Sequence, residues 1–354
     1  MSSQRKAYLI LYERLRAEIL SGARPWGSRL PSRREQARES GLSVNTVNHS
    51  YELLCEEGYI ESRPQSGYYV IYRESDGFFP PARPTASDLD RAAPADRDAF
   101  PFSVLARIMR RVLAEYGETL LTRTPGIGAD ALRAALSRYL SRNRRLRVSP
   151  DQIIIGAGAE YLYGLVVELL GRDRIFGLED PSYQKIRQIY AAKGVSCRML
   201  QLDSEGIRSD ILHSTDATVL HITPYRSFPT GVTASATRRR EYLRWVGSED
   251  RYLVEDDYES EFSLLRKPEE PLLSAAEGSN VLYMNTFSRT VSPALRVGYL
   301  VLPVPLMERF QERLGFYSCS VPAFEQYVLA ELLDSGELEK HINRVRRNER
   351  KKTP

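Results

Sequence analysis

The chain has 354 residues, 42% hydrophobic and 27% charged, with a formal net charge of +4. That length predicts two domains, each long enough to bury a core, and the balance fits a soluble globular protein. So small a net charge gives no whole-chain argument for nucleic acid. Residues 1–40, however, hold nine basic residues (Arg5, Lys6, Arg14, Arg16, Arg24, Arg29, Arg33, Arg34, Arg38) against four acids. Cys55, Cys197 and Cys319 are odd in number, far apart and outside metal-ligand spacing. They imply a reducing cytoplasm and no metal site. The apolar run 162–170 is broken by Glu168 and too short to span a bilayer, and no signal-peptide pattern opens the chain, so no membrane partner is expected.

Tyr8, Leu11, Tyr12, Leu15, Ile19 and Leu20 recur at helical spacing until Gly22, Pro25 and Gly27 end the pattern. Ser32 with Glu35 three residues on forms a capping box for a second helix, stopped at Gly41. Ser43 caps a third, which places Val44, Val47, Tyr51 and Leu54 on one face and stops near Gly58. The short turn between the last two gives a helix-turn-helix. Residues 59–71 then predict two strands around Pro64 and Gly67, a β-wing. Such a unit lays its third helix in the major groove. Ser43, Asn45, Thr46, Asn48 and His49 would meet bases or phosphates there, with Arg33, Arg34, Arg63 and Gly67 as the flanking backbone contacts. Each alone is as readily a solvated surface residue. Together, Gly27-Ser-Arg-Leu-Pro-Ser-Arg-Arg34, Ser43-Val-Asn-Thr-Val47 and Glu57-Gly-Tyr-Ile-Glu-Ser-Arg-Pro-Gln-Ser-Gly-Tyr68 resemble the GntR family of winged-helix regulators. The first domain is placed at 1–72.

Residues 73–101 lose hydrophobic periodicity and carry Pro80, Pro81, Pro84, Pro94 and Pro101, a Pro-rich linker whose end, Phe100-Pro-Phe102, is expected to dock on the second domain. From 102 to 354, strand-like runs near 153–155, 174–178, 196–200, 217–222, 252–255, 281–284 and 297–302 alternate with helical segments near 103–116, 129–142, 159–170, 182–193, 235–246 and 322–334. That alternation predicts an α/β fold on a mostly parallel sheet, with ligands at the C-terminal strand ends. The loops to examine are Gly156-Ala-Gly-Ala-Glu160, Glu179-Asp-Pro-Ser-Tyr183, Thr223-Pro-Tyr-Arg-Ser-Phe-Pro-Thr-Gly231 and Glu255-Asp-Asp-Tyr258. Small residues at a helix N-terminus let N–H groups approach a phosphate, and a carboxylate can hold the proton of a ring nitrogen.

With Asn285-Thr-Phe-Ser-Arg-Thr-Val-Ser-Pro-Ala-Leu-Arg-Val-Gly-Tyr299, these loops resemble the large domain of fold-type I aminotransferases, and the whole chain resembles the MocR subfamily of GntR regulators. The resemblance implies a homodimer with pyridoxal phosphate in the body, a double-stranded DNA operator and an amino-acid-like effector. By position, Gly158, Thr286, Ser288 and Arg296 would hold the phosphate, Tyr183 would cover the ring, Asp256 would pair with the ring nitrogen and Tyr258 with the ring oxygen. Arg289 stands at the family's lysine position. A guanidinium stays protonated and forms no Schiff base, so no catalytic residue is assigned and the cofactor is expected to be noncovalent or absent. Ala157 and Ala159 replace hydroxyl-bearing residues, and Glu160 adds an anion near the phosphate. Family members continue past position 354 into a small domain that supplies a substrate-binding arginine. Without it, the helix near 322–334 is expected to expose apolar surface, and the terminal basic run to be a solvated helix end. The leading expectation is a DNA-binding regulator with a catalytically inactive body. An active aminotransferase with a DNA-binding head, or a decayed truncated paralogue, are the alternatives.

Overall fold

The structure, a computed structural model, describes residues 7–64, 66–72, 99–247, 250–264, 269–276 and 280–352. The chain divides into two compact units, Met1–Ala93 and Pro94–Pro354. Most of the expected linker, 73–98, lies outside the described residues.

In the first unit, helices α1 (Ala7–Leu20), α2 (Arg33–Ser40) and α3 (Val44–Glu56) precede the antiparallel strands β1 (Ile60–Arg63) and β2 (Gly67–Val70). The helical stripes Leu11, Leu15, Ile19 and Val47, Tyr51, Leu54 close over Ile60 and Val70 as one core. Ser32 and Glu35 form the reciprocal capping box, and Gly41 ends α2 at φ 66°. Ser43 caps α3 by accepting from the Thr46 N–H. One expectation fails: Val44 is 44% exposed. It is the first residue of α3, so although it lies on the apolar stripe it stands beyond the end of the core. At the wing, Gly67 has φ 109°, and a Cβ there would meet Arg29 Nε at 3.1 Å. Both the backbone and the Arg29 side chain therefore call for glycine.

The second unit begins with α4 (Phe102–Tyr116) and α5 (Asp130–Arg144) and continues through β3 (Ile153–Gly156), α6 (Ala159–Leu170), β4 (Ile175–Asp180), α7 (Gln184–Ala192), β5 (Ser196–Asp203), β6 (Gly206–Ile207), α8 (Ser209–Ser214), β7 (Val219–Ile222), α9 (Ala236–Val246), β8 (Tyr252–Asp256), α10 (Leu272–Ala275), β9 (Val281–Thr286), β10 (Gly298–Val301), α11 (Val304–Leu314), α12 (Ala323–Asp334) and α13 (Glu337–Lys352). The strands form one sheet in the order β3-β10-β9-β8-β7-β4-β5-β6. Its centre is parallel; β10 runs against both β3 and β9, and β6 against β5. Strand alternation sorts side chains to the two faces. Ile153, Ile155, Tyr299 and Val301 join the core beneath α4, α5 and α12, whereas Ile154, Leu300, Leu282 and Met284 join the core beneath α6 and α11. The result is a three-layer sandwich.

Phe100, partly buried, packs against the first of these cores, with its ring 5.0 Å from that of His341, but Phe102 is 79% exposed, so of the expected docking segment Phe100 docks and Phe102 does not. The expected apolar exposure of the helix near 322–334 is also corrected. Val328, Leu329, Leu332 and Leu333 of α12 are buried in a core shared with α4, α5 and α13. Leu338, Ile342 and Val345, spaced along one side of α13, are what cover it. The basic run lies on the other side of this helix, where Arg344, Arg347, Arg350 and Lys351 are exposed, as expected of a solvated helix end.

Candidate functional site

In the first unit, the start of α3 presents Asn45 and His49 to solvent, while Thr46 and Asn48 are half-buried. The Asn48 amide donates to Glu52 at 2.6 Å and its oxygen accepts from Arg33. His49 lies edge-on to Tyr8, ring centroids 4.5 Å apart. Arg34 is exposed, and Arg63 lies 4.4 Å from the Tyr69 ring centroid and pairs with Glu61 at 2.6 Å. Arg33 and Asn48 therefore form one unit on the recognition face, and Glu52 and Tyr8, which the motif reading omitted, hold two of its hydrogen-bonding side chains.

In the second unit the named loops converge at the C-terminal ends of the parallel strands. Gly158 opens α6 with φ 82° and offers no side-chain cap, leaving the first turn of the helix for an external acceptor. A Cβ on Gly158 would lie 3.6 Å from the Arg296 guanidinium, so that cation sits at the mouth of the turn. The Ala157 N–H donates to the Ser320 hydroxyl at 3.1 Å, so a distant segment supplies a hydroxyl that the alanines lack. Thr286 is buried at the end of β9, with its methyl on the side facing Leu162 of α6; Ser288 is half-buried in the turn after it.

Asp256 ends β8 almost wholly buried. Its Oδ2 accepts from the Tyr163 hydroxyl at 2.6 Å and lies 3.4 Å from His221 Nε2, while His221 Nδ1 is 2.6 Å from the Tyr190 hydroxyl. With Tyr190 donating to Nδ1 and Nε2–H donating to Asp256, both imidazole nitrogens and both phenol hydroxyls are engaged. Asp256 Oδ1 has no partner among the described residues and is left to accept. Tyr183 and Tyr258 are partly exposed. Burial raises the Tyr258 phenol above its ordinary pKa; nearby Arg289 opposes this and Tyr183 and Asp256 add to it, so these candidates share one neighbourhood. Glu179 ties two of the loops together: its carboxylate accepts from the Ser227 hydroxyl at 2.6 Å and the Thr223 N–H at 3.2 Å, and burial pushes its pKa to about 7.

Arg289 is half exposed, pairs through Nε with Glu259 at 3.2 Å, and lies 5.4 Å from the Phe262 ring centroid. Glu259 also faces Arg226 at 3.6 Å. No amine stands at this position. Tyr163, His221 and Lys185 lie outside the sequence motifs. A lone histidine within the apolar strand β7 was the available signal for the first two.

Residues 7–70 match the bacterial regulatory proteins of the gntR family, and residues 94–352 match aminotransferase class I and II. The HTH-type transcriptional regulator YdeL of Bacillus subtilis is 32% identical over 98% of this chain and 77% of its own length. The chain belongs to the GntR regulators that carry an aminotransferase class I and II domain. The rhizopine catabolism regulatory protein MocR of Rhizobium meliloti is 29% identical over 95% of this chain and 73% of its own. Among solved structures, the Pyrococcus horikoshii kynurenine aminotransferase superposes with a TM-score of 0.64 at 26% identity, covering 72% of this GntR chain. The chain spans 65% of the length of that aminotransferase, just under two thirds. The family's aminotransferase fold is built around pyridoxal phosphate. The donor set of this GntR body fits that group's phosphate and ring: an open helix turn beside Arg296, a free oxygen on buried Asp256, and the Tyr183 and Tyr258 phenols. The Arg289 guanidinium itself offers no neutral nitrogen for covalent attachment.

Proposed function

We propose that this GntR-family chain is a sequence-specific DNA-binding transcriptional regulator whose body holds pyridoxal phosphate, or a related phosphorylated pyridine, noncovalently and as an effector. Arg289, paired with Glu259 in place of a free amine, carries this reading. Bound pyridoxal phosphate supplies an electron sink for amino-acid chemistry, and the chain's residues account for holding the group rather than for turnover. Gly158, Thr286, Ser288 and Arg296 hold the phosphate, Asp256 accepts from the ring nitrogen, Tyr258 reaches the ring oxygen and Tyr183 covers the ring. Tyr163 and His221 fix the Asp256 carboxylate from behind.

Borohydride reduction of the purified chain mixed with pyridoxal phosphate, followed by peptide mass spectrometry, is expected to leave position 289 unmodified; a stoichiometric phosphopyridoxyl adduct anywhere on the chain would refute noncovalent binding. The head, through Asn45, Thr46, Asn48 and His49 with Arg33, Arg34 and Arg63, is expected to prefer an operator with repeated half-sites, with affinity falling steeply with salt. Equal affinity for operator and random duplex in competition would remove the regulatory reading.

A further inference from the structure

Glu160 lies in the first turn of α6, beside the opening assigned to the phosphate. Its Oε2 pairs with Arg296 at 3.2 Å and its Oε1 with Lys185 Nζ at 3.3 Å. One carboxylate thus spans two cations from separate segments, one before β10 and one in the first turn of α7. The Lys185 hydrogen bond, with Arg296 nearby, holds Glu160 below the ordinary carboxylate range, so it stays charged at neutral pH. Tyr183 lies near enough to Lys185 to help hold its ammonium above the ordinary lysine range, after the larger effect of Glu160.

We propose that Glu160 is an internal anion that occupies Arg296 and Lys185 until a phosphomonoester displaces it, and that Lys185 is a phosphate-recognition residue beside Arg296. This rests on the reading of the cup as the site of a pyridoxal-type phosphate. A phosphomonoester carries about −1.5 to −2 charge at pH 7 and three acceptor oxygens. It can satisfy Arg296, Lys185 and the open helix turn at once, whereas the single Glu160 carboxylate engages only the two cations. All three side chains are about half exposed, so the resident pairs are weak and exchange readily. Once displaced, Glu160 is a like charge beside the bound phosphate and lowers its affinity. An unphosphorylated pyridine has nothing with which to displace it, so the bridge also selects for the phosphate.

The test is equilibrium dialysis of the full chain with pyridoxine phosphate, which has no aldehyde and cannot bond covalently, and with pyridoxine as control. Glu160→Gln is expected to bind pyridoxine phosphate roughly three- to ten-fold more tightly, with pyridoxine unchanged. Lys185→Gln is expected to bind it several-fold more weakly, and Arg296→Gln to lose most of the phosphate preference. Binding seen only in Glu160→Gln supports the proposal in its strongest form. Unchanged or weaker binding in Glu160→Gln alongside loss in Arg296→Gln overturns the internal anion and leaves the cup standing. No effect of Arg296→Gln, or no binding by any variant, overturns the cup and the proposal with it. Glu160 and Lys185 are exposed enough that circular dichroism is expected to show the same fold in every variant.

Discussion

Arg144 and Asp257 pair at 2.7 Å with each side chain about 5% exposed, and Tyr283 donates to the same Asp257 oxygen at 2.7 Å. Asp257 directly succeeds Asp256, so this pair fixes the end of β8 from the opposite side of the sheet. Breaking a buried pair strands a charge, a loss of about 3–5 kcal/mol. Arg144→Met is therefore expected to destabilise the body by that order in urea denaturation and to weaken pyridoxine phosphate binding. Asp257→Asn, which keeps a hydrogen-bonding group toward Tyr283 but leaves the Arg144 guanidinium without its counter-charge, is expected to lose a comparable amount. Asp256, Tyr258 and Arg296 sit in loop motifs, so the sequence alone singles them out as candidates. Partners drawn from distant elements were not legible: Tyr163 reaches Asp256 from α6, and Glu160 and Lys185 meet across 25 positions. Spacing along a chain carries no information about which side chains close on each other across a sheet.

Helix caps connect sequence to function most directly in the first unit. The Ser43 hydroxyl accepts from the Thr46 N–H at 3.1 Å and stands 2.8 Å from the Thr46 hydroxyl, fixing the turn that bears Asn45 and Thr46. Ser43→Ala is expected to cost about 1 kcal/mol of stability in the first unit. It should reduce operator affinity more than affinity for random duplex, since base contacts need the fixed turn and phosphate contacts do not. Equal losses on both duplexes would show that the cap serves stability alone. At this scale the sequence was most informative, because caps, glycine stops and apolar periodicity act within a few residues. It was less informative for α11 and α13. Their apolar stripes, Leu306, Phe310, Leu314 and Leu338, Ile342, Val345, sit among many charges, and only the packed core shows which side they bury.

Across the molecule, buried acids set the response to pH. Burial pushes Glu179 and Glu255 up to about 7 from the ordinary carboxylate value of 4.5, which the unfolded chain retains. Between those values the folded chain binds more protons than the unfolded one. Their contribution is fully present below about 4.5 and is lost as pH rises through 7. The melting temperature of the body is expected to rise as pH falls from about 7.5 toward about 5.5, by about 2–4 °C for each kcal/mol gained. Glu255→Gln should flatten that rise, because the amide stays neutral throughout; an unaltered pH profile would show that Glu255 does not titrate in this window.

Among the described residues, strand β3 pairs in the sheet with β10 alone, in the register Gly156 to Gly298, and Gly298 also faces Thr286 on β9. The reversed strand is thus what brings Gly158, Thr286 and Arg296 to one place. During synthesis, β3 leaves the ribosome well before its partner, which lies over a hundred residues later. At cellular translation rates that interval is on the order of ten seconds. For that time the glycine turn has neither its neighbouring strand nor its arginine, so a phosphorylated ligand held there as proposed would not template the early folding of this body and would engage only a sheet already closed.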